Sequence, residues 1–218
     1  MDRQMGKRIF MSALGVVICG LSVGMFKHAA LGVDPFQSLM SGLDAVIPIR
    51  FGTLYVIVNL ALLSFALILD RGKVGLATLI NLFLLGYIAE FSQRGMARLL
   101  PGPTLAARLG LLAAAIAIMC LASAFYFTAD LGVSPYDAVA LIWSQRQSRI
   151  PFAVCRVICD LVCVAGGVAL CKAAGFTLAQ ITGQVGIGTI ITAFFMGPLI
   201  DFFNRTVAGP FLRGGKRG

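Results

Sequence analysis

The chain has 218 residues, of which 59% are hydrophobic and 12% charged, with a mean hydropathy of +0.92. Soluble domains carry about 25% charged residues, so a cytosolic enzyme, a disordered chain and most nucleic-acid binders are excluded. Lysine and arginine number 18 against 9 acids, a formal +9; in so apolar a chain that excess is first a topology signal.

In chain order, the first apolar run is residues 9–26, behind Arg3, Lys7 and Arg8. It is long enough to cross a bilayer, which takes about 20 residues. A cleaved signal peptide ending near His28-Ala29-Ala30 is the competing reading. The run's length and its place in a repeat favour a retained helix. Further full-length runs follow at 51–69, 74–91, 109–127, 151–170 and 185–203. Residues 94–108 form a polar, proline-bearing gap. Cys19, Cys120, Cys155, Cys159, Cys163 and Cys171 lie in or beside these runs, with no CxxC and a single histidine, His28. The stripe Cys155, Cys159, Cys163 reads as packing rather than a soft-metal site, and no metal or cofactor is expected.

The chain repeats itself. Leu31-Gly32-Val33-Asp34-Pro35-Phe36-Gln37 returns 100 residues later as Leu131-Gly132-Val133-Ser134-Pro135-Tyr136-Asp137. Phe51, Val56, Ile57, Asn59 and Leu60 match Phe152, Val157, Ile158, Asp160 and Leu161 at a shift of 101. Thr78, Ile80, Phe83, Gly86, Glu90 and Phe91 match Thr189, Ile191, Phe194, Gly197, Asp201 and Phe202 at 111. The ten extra residues fall at 175–184, read as a loop. The expected organisation is therefore one membrane domain of two structural repeats, 1–100 and 101–218. Gly20 and Gly24, with counterparts Cys120 and Ala124, give the first helices of the two halves small faces, suited to crossing each other closely or to a homodimer.

Each repeat reads as a full helix, a Leu-Gly-Val-x-Pro break, a short segment (35–47 and 135–145) and two full helices. The short segments reach only about 15–20 Å as helices, against a core of about 30 Å. Glycine permits an unusual backbone angle, and proline suits a first helical turn. Asp34 and Ser134 are placed as N-caps. The fold class is thus all-α: a polytopic membrane protein with six full-length transmembrane helices and two short broken or re-entrant half-helices, built as an internal duplication. Such broken helices recur in transporters, where they meet at the site.

If six helices cross, the inside cations are Arg3, Lys7, Arg8, Arg71, Lys73, Arg146, Arg149, Arg205, Arg213, Lys216 and Arg217, which is 11 against 6 outside. If each half-helix and its extended chain cross too, the balance becomes 13 against 4. Charge favours eight crossings and parallel repeats; segment length favours six and inverted repeats. Both place the two termini in the cytoplasm.

Charges at bilayer depth cost about 2.5–3.5 kcal/mol on insertion scales, so each marks a candidate site. Arg156 and Asp160 lie four apart on one helix face, and their counterparts are Tyr55 and Asn59. Asp34, Pro35, Gln37, Ser134, Pro135 and Asp137 surround the half-helix starts. Asn81 and Thr192 match across the repeats on facing helices. Together these twelve are the expected solute-binding residues. Thr78 and Thr189 also match, and a membrane threonine often bonds only its own backbone. Glu90 and Asp201 match near helix ends, while Trp143, Lys27 and His28 read as interfacial. No P-loop, HExxH or GxSxG is present, so neither an enzyme nor an ATP-driven pump is expected.

On the paired Leu-Gly-Val-x-Pro-aromatic motifs, with Gly186, Gly188 and Thr189 opening the last helix, the chain resembles the YczE/YyaS/YitT-like family of small bacterial membrane proteins, from about Arg8 to Asn204. The resemblance implies a multi-spanning bacterial membrane protein and names no substrate. The leading expectation is a small secondary transporter or facilitator for a small polar or anionic solute in the bacterial cytoplasmic (inner) membrane. Its partners would be the lipid bilayer and that solute, with no nucleic acid and room for a homodimer. The alternative is a non-transporting accessory or assembly protein for another enzyme or secretion system.

Overall fold

A computed structural model describes residues 3–70, 75–147, 150 and 152–213. Arg71, Lys73, Arg149, Lys216 and Arg217, used above to count charge, lie outside them, as does Pro151. Among the described residues the chain is helical with no strand. The helices are α1 (Arg3–Ala29), α2 (Pro35–Val46), α3 (Phe51–Leu69), α4 (Leu76–Leu99), α5 (Leu105–Ala129), α6 (Pro135–Arg146), α7 (Phe152–Ala173), α8 (Leu178–Gln184) and α9 (Ile187–Phe203). A π-helical turn, Asn204–Ala208, leads from α9 into α10 (Gly209–Arg213). Among the described residues six helices are long and apolar enough to cross a membrane: α1, α3, α4, α5, α7 and the α8-to-α10 segment. The chain is a multi-pass membrane protein.

Contacts at the helix ends set the directions. Near the start of α1, Arg8 donates from Nε to the Ala129 carbonyl (2.6 Å) and from Nη2 to the Asp130 carbonyl (2.7 Å), at the end of α5. Near the start of α5, Arg108 donates to the carbonyls of Ala29 (2.7 Å) and Ala30 (2.5 Å), past the end of α1. Each guanidinium thus takes up carbonyls that a helix C-terminus leaves unpaired, and α1 and α5 run antiparallel. His28 Nε2 lies 2.9 Å from the Leu100 carbonyl, so α4 ends where α1 ends. Thr128 Oγ1 donates to Asn204 Oδ1 at 2.5 Å, which brings the end of α9 to the end of α5. The bundle therefore makes six passes, with α2 and α6 as partial ones, and residues 8 and 204 share a face. The eight-pass arrangement favoured by charge would run α1 and α5 parallel; these contacts contradict it.

The two breaks have matching geometry. Ala30 and Asp130 take φ of +49° and +48°, and Gly32 and Gly132 take φ of +106° and +110°. The Leu31 carbonyl accepts from Gly188 N at 2.9 Å, and the Leu131 carbonyl from Ala77 N at 3.0 Å. Each break thus caps the start of the last long helix of the other half. No side chain fits there: a Cβ on Gly32 would fall 2.6 Å from Gly186 N, and one on Gly132 2.6 Å from Gly75 N.

Two expectations change. Residues 175–184 contain α8, whose Gly183 and Gln184 carbonyls accept from Gly32 N and Val33 N, both at 3.0 Å; the inserted residues build a second wall for the break. Gly20 and Gly24 face α4 rather than α5. A Cβ on Gly24 would meet Ser92 Cβ at 2.4 Å and Gln93 N at 2.6 Å, whereas α5 approaches α1 at Gly15, beside the Ala122 carbonyl.

Candidate functional site

The two half-helices start as expected. Asp34 Oδ1 accepts from Gln37 N at 3.2 Å, and Ser134 Oγ accepts from Asp137 N at 3.0 Å. With proline in the first turn of each, a helix starts inside the protein with its free N–H groups partly satisfied. Between these starts lies a cavity of about 110 Å³. It reaches Val16, Cys19 and Val23, central positions of the 27-residue α1, so it sits at mid-depth in the bundle.

Of the twelve expected residues, Asp34, Pro35, Gln37, Tyr55, Asn59, Asn81, Ser134, Asp137, Arg156, Asp160 and Thr192 line this cavity. Pro135 does not; it is a fully buried first-turn residue of α6. Arg156 joins two acids: its Nε donates to Asp160 Oδ1 at 3.2 Å, and its Nη1 contacts Asp137 Oδ1. Tyr136 Oη donates to the same Asp160 oxygen at 2.5 Å, and the guanidinium carbon lies 4.6 Å from the Tyr136 ring centroid. Asp137 also accepts from Ser134 Oγ at 2.6 Å. In the first half, Tyr55 Oη donates to Asn81 Oδ1 at 3.4 Å, and Asn59 Nδ2 donates to the Tyr55 carbonyl at 2.9 Å.

Among the described residues three buried polar atoms of the lining have no hydrogen-bond partner: Gln37 Oε1, Asn59 Oδ1 and Tyr126 Oη. Native interiors leave few such atoms, each of which costs about 1–3 kcal/mol.

The matched threonines and the matched acids near the helix ends bond to neighbouring protein groups. Thr192 Oγ1 bonds the Gly188 carbonyl of its own helix at 2.9 Å. Thr78 departs from that pattern, donating across the bundle to the Val133 carbonyl at 2.7 Å while accepting from Gly75 N. Thr189 does the same locally, with Gln184 and Gly186. Glu90 pairs with Arg94 and Arg50, and Asp201 with Arg205. Trp143 bonds Gln147 in an exposed setting, and the Lys27 ammonium lies 3.1 Å from the Phe51 ring centroid. Cys155 and Cys163 are buried, with Cys163 in the main core, and all six cysteines are free. Among the described residues no group of three or more His, Cys, Asp or Glu is placed to hold a metal.

Sequence reasoning missed Phe36, Tyr126 and Tyr136 as walls of the cavity. Phe36 stacks on Tyr136 at 4.8 Å and meets Tyr55 edge-on at 6.0 Å. The signal was present in the aromatic retained after each proline.

A six-pass bundle with two internal half-helices around a polar mid-depth cavity defines a small multi-pass membrane protein. The chain belongs to the family described as "Family of unknown function (DUF6198)", which matches residues 6–205. It is similar to "Uncharacterized protein YyaS" of Bacillus subtilis (strain 168), at 26% identity over 94% of this chain and 96% of that one. It is also similar to an "Uncharacterized protein" of Haemophilus influenzae, at 24% identity over 93% and 85% of the two chains. These relatives agree with the YyaS-like resemblance read from the paired motifs. No solved structure matches.

Proposed function

We propose that this protein is a small secondary transporter or facilitator that binds a small polar solute in the central cavity. The observation that carries the reading is the mid-depth cavity whose lining leaves Gln37 Oε1, Asn59 Oδ1 and Tyr126 Oη without partners. Non-helical backbone at membrane depth is tolerated where it lines such a cavity. Antiparallel halves meeting at broken helices are a transporter plan. An accessory protein needs only a packed centre with its polar groups paired. The anionic part of the expectation loses support, because both half-helix starts are capped by the chain itself and Arg156 is engaged by two carboxylates.

We place the protein in the bacterial cytoplasmic membrane with both termini in the cytoplasm. The face carrying Arg8 and Arg205 then holds the larger share of cations. The test is flux in proteoliposomes across a panel of small amines, amides and carboxylates, for the native chain and Asn59→Leu, which keeps the size of the side chain and removes its amide. At least one solute should move with the native protein and at least tenfold more slowly with the variant. No protein-dependent flux across the panel would refute transport.

A further inference from the structure

We infer that the cavity takes a small organic cation that donates N–H hydrogen bonds, a primary ammonium or a guanidinium. This deepens the proposed transport reading and rests on it.

The charge balance is the first observation. Among the described residues Asp34, Asp137, Asp160 and Arg156 are the formally charged ones that line the cavity, which leaves a formal −2. Asp137 and Asp160 share the guanidinium of Arg156. Asp34 forms no ion pair with any described residue, and its carboxylate accepts from the Gln37 amide in its role as helix cap. An uncompensated carboxylate at this depth is costly, and a bound cation offsets that cost.

The second observation is independent of charge. Asn59 is 1% exposed, and its Oδ1 has no partner. Its orientation is fixed because Nδ2 already donates to the Tyr55 carbonyl, so the vacant group is an acceptor. Gln37, 3% exposed, adds a vacant Oε1 in the first turn of the helix that Asp34 caps. The Asp34 carboxylate and the oriented Asn59 oxygen call for a ligand with N–H donors, and the Gln37 amide can turn its oxygen to the same ligand. An anion would find the Tyr126 hydroxyl as an unpaired donor, but it would face the Asp34 carboxylate and an Arg156 already shared by two acids. The rings of Phe36 and Tyr55 supply an apolar wall that also attracts positive charge. A volume of about 110 Å³ has room for an ion of a few non-hydrogen atoms.

Asparagine caps a helix as well as aspartate does, so Asp34→Asn removes the charge and keeps α2. The experiment measures thermal stability and calorimetric binding of the purified protein in nanodiscs. The probes are methylammonium, ethylammonium and guanidinium at millimolar concentration, with acetamide and urea as neutral isosteres, acetate and formate as anions, and sodium and potassium at matched ionic strength. At a hundredfold excess over Kd, an ammonium or guanidinium probe should raise Tm by about 5–10 °C. Asp34→Asn should weaken it about 30-fold or more, and Asp34→Glu should restore part of the affinity.

Stabilisation by neutral or anionic probes without the cations overturns the ligand class and leaves the solute site standing. Equal stabilisation by sodium or potassium overturns the N–H requirement. Unchanged cation binding by Asp34→Asn overturns the assignment to this cavity. Binding by no probe, together with no flux by the native protein, overturns both readings.

Discussion

Replacing Arg156 with methionine keeps most of the side-chain volume and removes the guanidinium that Asp137 and Asp160 share. The three side chains are 29%, 16% and 9% exposed, buried enough that the two acids lose an ion partner water does not replace. Removing one partner of a buried pair costs about 3–5 kcal/mol. The partial exposure of Arg156 puts the expected loss near 3 kcal/mol. In a chain of this size 1 kcal/mol moves Tm by about 2–4 °C, so Arg156→Met should melt about 6–12 °C lower in detergent. Neutralising the stranded acids, as Asp137→Asn and Asp160→Asn in the Arg156→Met background, should recover at least half of that loss. The assay is thermal unfolding followed by intrinsic fluorescence of the native chain, Arg156→Met, the Asp137→Asn/Asp160→Asn pair and the triple variant, which together form a coupled cycle. A loss below about 1 kcal/mol, or no recovery on neutralisation, would refute the view that these residues act as one buried unit.

Two further substitutions probe the frame around the cavity. Gly24→Ala inserts a methyl group where Ser92 Cβ lies 2.4 Å away and the Gln93 amide nitrogen 2.6 Å; overpacking should cost about 1–3 kcal/mol, and a change under 0.5 kcal/mol in melting would deny the close α1–α4 crossing. Ala30→Gly should stabilise the protein by about 0.5–1 kcal/mol, because alanine there holds a left-handed φ of +49° that glycine adopts without strain; a destabilised variant would contradict the geometry of the break.

The sequence made the helices legible because long apolar runs and proline-glycine punctuation are local signals. The run at 51–69 coincides with α3, and Asp34 and Ser134 announced the half-helix starts through their capping chemistry. Pairing the two copies brought out Tyr55, Asn59, Arg156 and Asp160 as a set, since polar residues at matched positions of apolar helices have few other reasons to recur. Long-range geometry was not legible. Charge counting treated Arg108 as a topology marker, whereas it caps the end of α1. The small faces at Gly20 and Gly24 carry no indication of which helix they meet. Residues 175–184 look like a loop in isolation, and α8 makes sense only against Gly32 and Val33. The vacancy at Asn59 Oδ1 depends on the neighbouring Tyr55 carbonyl taking the other end of the amide, which no spacing rule reports.

The central claim is that a polar cavity open to water-borne solutes lies between the two half-helix starts. Cys19 lines that cavity, while Cys155 is fully buried in α7, so the native protein carries its own probe and its own control. The most direct measurement is the rate at which a small ammonium-bearing methanethiosulfonate labels each cysteine in proteoliposomes, resolved by mass spectrometry. The account predicts that Cys19 is labelled well ahead of Cys155. A Cys19 as inert as Cys155 would mean a dry, packed centre and would contradict the account.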